Sequence, residues 1–92
     1  MPKTELHAIA SGRVQGVCFR SNVRQIAQKL SLTGTVRNLS DGSVEIFAHG
    51  SVTQLEQFIA KLQEHPGLSR VDHLESSYST PHRCFHDFRI IK

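Results

Sequence analysis

The chain has 92 residues, of which 38% are hydrophobic and 21% are charged, and this length and composition are typical of one globular domain. They exclude a barrel of eight βα units, a two-domain dehydrogenase and a kinase. Eleven Lys and Arg against eight Asp and Glu give a formal net charge of +3, which favours anionic ligands but is mild for a dedicated nucleic-acid binder. We therefore expect a single domain over residues 1–92.

The sequence predicts neither a membrane span nor a secretion signal. No apolar run approaches the roughly 20 residues that a membrane helix needs, and residues 1–5 lack the apolar segment of a secretory signal. Cys18 and Cys84 are too few for the disulfide framework of a secreted domain. We expect a cytoplasmic monomer that has reduced thiols and binds neither membrane nor nucleic acid, while a single bridge between the two cysteines stays open.

The first third of the chain predicts a strand, a loop and a helix. Apolar residues at every second position over 6–11 indicate the strand. Residues 12–17 contain two glycines and are too rich in turn residues for a strand or a helix interior. From Phe19 to Leu30 apolar residues recur at helical spacing, and Gly34 follows at a position where a residue of positive φ often ends a helix.

The middle of the chain predicts a β-hairpin and the start of a second helix. Residues 35–39 and 43–49 are extended segments on either side of an Asp-Gly turn. Ser51 and Gln54 then have the spacing of a capping box, in which each side chain bonds the other residue's backbone N–H. Apolar residues at helical spacing over 55–62 complete the second helix.

The last third predicts the end of that helix and the remaining strands. Pro66 and Gly67 stop the helix, and residues 70–78 and 85–91 are strand candidates. The order β-α-β-β-α-β, with room for an extra C-terminal strand, predicts a ferredoxin-like α+β sandwich. Its two helices cover one face of a mostly antiparallel sheet. This fold alone assigns no function.

The segment between the first strand and the first helix is the best candidate for a binding site. Residues 12–20 read GRVQGVCFR, and Gly12 and Gly16 allow several backbone N–H groups to converge on an anion. The helix N-terminus adds partial positive charge, and the Arg20 guanidinium can bind phosphate or carboxylate through two hydrogen bonds. On local geometry alone, a plain strand-to-helix connection with a solvated arginine explains the segment equally well.

Asn38, just before the Asp-Gly turn, is the second candidate. If the first helix crosses over in the usual right-handed way, the strand of Asn38 lies beside the first strand or is separated from it by one strand. Asn38 can then face the loop. Its amide oxygen can accept a hydrogen bond from a water and orient it, but cannot take its proton. Taken alone, the residue is explained more simply as a turn-entry asparagine that bonds its own backbone.

The remaining histidines and Cys18 carry weaker signals. On a strand, His82, Cys84 and His86 would share one face and offer metal ligands, but zinc sites usually take four ligands at sharper spacings. Exposed polar residues near an edge strand are the simpler interpretation. Cys18, near a helix start, is expected to be a small buried side chain. Four histidines show no carboxylate or nucleophile partner in the sequence: His7, His49, His65 and His73.

The two candidate segments together resemble the acylphosphatase family. GRVQGVCFR over residues 12–20 and GTVRNLSDGSVE over residues 34–45 carry this resemblance, which extends over essentially the whole chain. It implies an enzyme that hydrolyses acyl phosphates to a carboxylate and inorganic phosphate without a metal or cofactor.

The resemblance also implies roles for individual residues. Arg20 and the backbone amides of the loop hold the phosphoryl group, and Asn38 orients the attacking water. The loop residues that correspond to the family's phosphate-binding segment are Val14, Gln15, Gly16, Val17, Cys18 and Phe19. Some members have a hydroxyl residue directly after the asparagine, where this chain has Leu39, and Ser40 is only a conjectural substitute.

Two other classes of function stay open from the sequence. Acylphosphatase-like domains also occur inside larger proteins that handle carbamoyl phosphate, and a degenerate copy would only bind phosphorylated metabolites. The presence of both Arg20 and Asn38 favours catalysis. An anion-binding or RNA-contacting module rests on the basic charge alone, and for RNA the hairpin strand offers only Phe47 and no RNA-recognition motif.

Overall fold

The computed structural model describes residues 3–16, 18–64 and 69–92. The elements are β1 (Thr4–Arg13), α1 (Phe19–Lys29), β2 (Thr33–Asn38), β3 (Val44–Gly50), α2 (Val52–Gln63), β4 (Arg70–Ser79) and β5 (Phe88–Ile91). The strands form one sheet in the order β4-β1-β3-β2-β5, and β2 with β5 is the one parallel pair among them. The ferredoxin-like α+β prediction is confirmed, including the extra C-terminal strand. No helix in the described part of the chain is long and apolar enough to span a membrane.

One face of the sheet is apolar and packs against both helices. The register places these facing pairs on it, all fully buried: Leu6 and Ala48, Ala8 and Ile46, Ala10 and Val44. The helices bury a stripe of apolar residues against them: Phe19, Val23 and Ala27 from α1, and Leu55, Phe58 and Leu62 from α2. Each large side chain buried here contributes roughly 1.5–3 kcal/mol, which holds both helices on this face.

The start of α2 has the predicted capping box. Ser51 Oγ accepts a hydrogen bond from the Gln54 N–H at 3.2 Å, and Gln54 Oε1 accepts one from the Ser51 N–H at 3.0 Å. Gln54 Nε2 also donates to the Leu30 carbonyl at 3.1 Å, which ties the start of α2 to the end of α1. The helix ends at Gln63, and the predicted stop at residues 66–67 lies outside the described residues.

β1 is longer than predicted and includes Gly12. The strand continues to Arg13 because this stretch pairs with β4, with a shift in register after Ser11. A Cβ on Gly12, whose φ is 126°, would lie 2.5 Å from the Arg70 carbonyl oxygen. The expectation that residues 12 and 13 belong to a loop was wrong. Both residues continue the pairing with β4 beyond a β-bulge, and the glycine allows the close approach of the two strands there.

The end of α1 also differs from the prediction. The residue that leaves the helix end with a positive φ is Ser31, at 60°, three positions before Gly34. Gly34 instead lies inside β2 opposite Ala48, where a Cβ would collide with the Phe47 carbonyl oxygen. The prediction that Gly34 ends the helix was wrong, because this glycine is required by the close approach of β3.

The helix-free face of the sheet carries a polar and aromatic cluster. Glu5 and His49 are both buried there and lie 2.8 Å apart. The Phe47 ring contacts the His7 ring, with 4.4 Å between centroids, and the Arg83 guanidinium lies 4.4 Å from the Phe47 centroid. Arg83 also approaches Glu5 at 4.0 Å.

Several histidines therefore have partners that the sequence did not reveal. The pairs are His7 with Glu45 and His49 with Glu5, both at 2.8 Å, and His73 with Glu75 at 3.6 Å. The sequence made no such partner evident. Strand pairing brings His7 and His49 close to carboxylates 38 and 44 positions away, whereas His73 and Glu75 lie two positions apart on β4. His65 lies outside the described residues.

The connection over residues 80–87 is irregular rather than extended. β5 begins at Phe88, later than the predicted start at residue 85. His82, Cys84 and His86 lie in the connection before it and are exposed, which agrees with the simpler interpretation of them as exposed polar residues near an edge strand. Within the described residues, no group of three or more His, Cys, Asp or Glu is arranged to hold a metal. Both cysteines of the chain are free.

Candidate functional site

The loop between β1 and α1 is anchored in the core at both ends. Val14 and Phe19 are buried, at 1% and 3% exposure. Between them, Gly16 and Cys18 have left-handed backbones with φ of 73° and 62°. Turns of this kind aim neighbouring backbone N–H groups to one concave side, where they can bind an anion. Val17, also predicted as a binding residue, lies outside the described residues.

Among the described residues, the N-terminus of α1 has neither a side-chain cap nor an acidic residue in its first turn. Cys18 occupies the N-cap position without a side-chain hydrogen bond, and the first turn contains no acidic residue among those described. The first N–H groups of the helix are thus available to an external anion. The Cys18 side chain is exposed, so the expectation of a buried cysteine was wrong, because its neighbour Phe19 fills that part of the core.

Arg20 lies in the first turn of α1 and is half-buried. In the part of the chain that the structure describes, its guanidinium has no carboxylate partner. Arg37, Arg70 and Arg89, by contrast, each have a carboxylate oxygen between 2.7 and 2.9 Å away. An arginine that is half-buried yet unpaired is available to bind an anion in its immediate surroundings.

A cavity of about 260 Å³ adjoins Arg20. It is formed by the loop, the first turn of α1 and β5, and its lining residues are Val14, Gly16, Cys18, Phe19, Arg20, Ser21 and Ile90. A larger cavity of about 390 Å³ lies between the two helices, where Lys29 and Lys61 flank the apolar residues Ile26 and Leu30. We assign the site to the smaller cavity because it combines an unpaired arginine with an uncapped helix N-terminus.

Asn38 is the last residue of β2, and β2 is separated from β1 by β3 alone, as the crossover argument predicted. Asn38 is not among the residues that line the 260 Å³ cavity. Its Oδ1 atom is buried and has no hydrogen-bond partner among the described residues. A buried amide oxygen without a partner costs about 1–3 kcal/mol, so an ordered water or a ligand group is expected to donate to it.

The turn between β2 and β3 is closed without the Asn38 side chain. Asp41 Oδ1 accepts hydrogen bonds from the Ser43 N–H at 3.0 Å and from Ser43 Oγ at 2.5 Å. These bonds lower the pKa of Asp41 below its ordinary value, and the bond from the Ser43 hydroxyl has the larger effect. The Leu39 N–H donates to the Ser43 carbonyl at 2.8 Å and the Gly42 N–H to the Leu39 carbonyl at 3.2 Å. Asp41 therefore fills the turn-closing role that was the simpler interpretation of Asn38.

Gln15 connects the loop to this turn. Its Nε2 donates to the Leu39 carbonyl at 2.9 Å and to the Ser43 carbonyl at 2.8 Å. Gln15 was predicted as a site residue only through its position in the loop, and its side-chain contacts were not predicted. The bonded residues are 24 and 28 positions away in the chain, so no local pattern could have indicated them.

Comparisons with known proteins agree on one family. The acylphosphatase family model matches residues 6–90. An acylphosphatase of Treponema denticola is 46% identical over 86 residues, which cover 92% of this chain and 89% of that protein. One from Legionella pneumophila (strain Corby) is 50% identical over 62 residues, covering 67% and 68%. The crystal structure of acylphosphatase from Bacillus subtilis has a TM-score of 0.92 at 35% identity and covers 97% of this chain and 99% of that one.

Proposed function

Since the chain belongs to the acylphosphatase family and hydrolyses acyl phosphates with release of phosphate, we propose that its β1–α1 loop and Arg20 hold the phosphoryl group while Asn38 orients the attacking water. The observation that supports this proposal best is the unpaired Arg20 beside the 260 Å³ cavity. Among the described residues, the guanidinium there has no carboxylate to neutralise it.

The phosphoryl group is held by charge and by preorganised donors. Arg20 offers two parallel N–H donors to two phosphoryl oxygens. The backbone N–H groups of residues 14–19 and the uncapped N-terminus of α1 supply further donors. Phosphoryl transfer depends mainly on positioning and on stabilising charge at the equatorial oxygens, and fixed donors in a partly enclosed site do both.

Asn38 acts on the water. Its Oδ1 accepts a hydrogen bond from the water and directs the water oxygen at phosphorus, opposite the acyl oxygen. The new P–O bond forms as the P–O bond to the acyl group breaks, and the carboxylate leaves with the electron pair. A carboxylate is a good leaving group that needs little general acid. The water's proton passes to a phosphoryl oxygen of the substrate, because an amide cannot take it.

The test is the hydrolysis of benzoyl phosphate by the purified wild-type protein and by Arg20→Lys. Lysine keeps the charge but not the planar pair of donors, so we expect kcat/KM to fall by about 10²–10³-fold, the range found for single stabilising donors. The inhibition constant of inorganic phosphate should rise as well. Circular dichroism should be unchanged, since Arg20 makes no ion pair within the described residues.

The matched control is Arg24→Lys, one turn further along α1 on its exposed surface. It makes the same chemical change on the same helix and should leave kcat and KM at the wild-type values. Near-native turnover by Arg20→Lys would show that Arg20 does not hold the phosphoryl group.

A further inference from the structure

We propose that the Gln15 side chain is a positioning residue that sets the place of Asn38 relative to the phosphate-binding loop. This inference rests on the proposed function, since it concerns the alignment of the water with the phosphoryl group. Gln15 touches neither water nor phosphate through its side chain in this scheme. It acts through the turn that follows Asn38.

The sheet leaves these two parts of the site without a shared hydrogen-bond ladder. Val44 of β3 pairs with Ala10 of β1 on one side and with Asn38 of β2 on the other. Beyond Ala10, β1 pairs only with β4, so the loop diverges from the strand end that carries Asn38. Among the described residues, a side chain connects them.

Gln15 makes that connection with both of its amide hydrogens. A carboxamide carries two N–H donors, and these reach the carbonyl oxygens of Leu39 and Ser43 at 2.9 and 2.8 Å. The two carbonyls belong to the residues on either side of the turn, and Leu39 is bonded directly to Asn38. Two bonds from one planar group restrain both distance and rotation.

The turn does not need these bonds in order to close. The Leu39 carbonyl already accepts from the Gly42 N–H, and the Ser43 carbonyl from the Leu39 N–H. Asp41 supplies two further bonds to Ser43. The Gln15 bonds occupy the second lone pairs of carbonyls that are already satisfied, so their effect is to fix the turn against the loop.

The consequence is a separable kinetic effect. Losing the Gln15 bonds lets the Asn38 oxygen shift with respect to the phosphoryl group, and a displacement of about 1 Å in a reacting geometry can cost about 10²-fold in rate. The loop amides and Arg20 still bind phosphate. We therefore expect kcat to fall while KM and the inhibition constant of phosphate stay nearly constant.

The experiment is a double-mutant cycle between Gln15→Met and Asn38→Ala, measured on benzoyl phosphate. Methionine keeps the length of the side chain but removes both donors. Gln15→Met alone should lower kcat by about 10–100-fold with an unchanged inhibition constant for phosphate. In the Asn38→Ala background it should cost less than about 3-fold, because the group that it positions is gone. Gln28→Met, at an exposed position of α1, is the matched control and should have wild-type kinetics.

The outcomes separate the two proposals. If Gln15→Met lowers kcat equally in both backgrounds, or raises the inhibition constant of phosphate in step with the loss of rate, Gln15 does not act through Asn38. If Asn38→Ala itself leaves kcat unchanged, the proposed role of the asparagine fails first. Urea unfolding checks that each variant is folded. Should Gln15→Met not fold, Gln15→Asn, which keeps the donors but shortens their reach by one methylene, is measured in the same cycle.

Discussion

Replacing Asn38 by alanine should abolish most of the activity without lowering stability. This combination follows from the buried Oδ1 atom, which lacks a hydrogen-bond partner among the described residues. A hydrogen bond to this acceptor comes from a water or a ligand rather than from a described protein group, so truncation breaks no bond within the described structure. Truncation to alanine removes the functional group together with the free-energy cost of burying its oxygen.

The size of each effect can be worked out from this environment. An unsatisfied buried polar group costs about 1–3 kcal/mol, and loss of the small contact area of a half-buried side chain offsets part of the gain. The free energy of unfolding should therefore change by between zero and about +2 kcal/mol. Loss of one positioning contact should lower kcat by about 10²–10³-fold, which is roughly 2.7–4 kcal/mol of barrier.

The assay combines phosphate release from benzoyl phosphate with urea unfolding of the same samples. Thr33→Val is the matched control, because Thr33 Oγ1 is also buried without a partner among the described residues and lies at the opposite end of β2. It should stabilise the protein to a similar degree and leave kcat unchanged. Destabilisation by Asn38→Ala together with native kcat would refute the reasoning. Equal losses of rate and of phosphate affinity would place Asn38 in the phosphate-binding group.

The remaining predictions concern pH and stability. The proposed mechanism assigns no proton transfer to a side chain of this protein, so kcat should be flat between about pH 5 and 9, and EDTA should have no effect. A fall in kcat near the ordinary pKa of histidine would show that a histidine acts as a general base in the reaction. Burial raises the pKa of Glu45, but hydrogen bonds from His7 and Arg37 outweigh it and hold this pKa below its ordinary value. The folded state therefore favours the carboxylate, and this contribution is present above about pH 4.5 and is lost at lower pH. In urea unfolding between about pH 5 and 3, Glu45→Gln should flatten the fall in stability, and an unchanged slope would contradict the assignment. Ser51→Ala should lower stability by about 0.5–2 kcal/mol with native kcat, and unaltered urea unfolding would show that the capping box contributes little.

The parts of the fold that were predictable depend on short-range patterns. The period of apolar residues identified both helices and the hairpin, and the spacing of Ser51 and Gln54 identified the capping box, because these signals arise from neighbours within one or two turns. The order of the elements then limited the sheet to few arrangements, since crossovers are right-handed. The two segments of the candidate site were found in the same way, as strings of neighbouring residues.

The features that were missed depend on residues brought together by the sheet. Gly12 looked like a loop residue because nothing in its neighbourhood indicates the close approach of the Arg70 carbonyl oxygen. Glu5 and His49 form a buried pair across 44 positions of sequence, which no local pattern encodes. The Gln15 contacts with the β2–β3 turn belong to the same class. Each of these contacts depends on how distant strands are aligned in the sheet, and that alignment follows from the whole sheet.

The proposal that Arg20 and the loop hold the phosphoryl group, with a water directed at phosphorus, is tested most directly by the fate of the water oxygen. Benzoyl phosphate would be hydrolysed by the wild-type enzyme in water labelled with oxygen-18, and both products would be analysed by mass spectrometry. Attack at phosphorus predicts that the label enters inorganic phosphate and that benzoate stays at the level of an unlabelled control. Label in benzoate would mean that the water attacks the acyl carbon, which would contradict the proposed roles of the loop, Arg20 and Asn38.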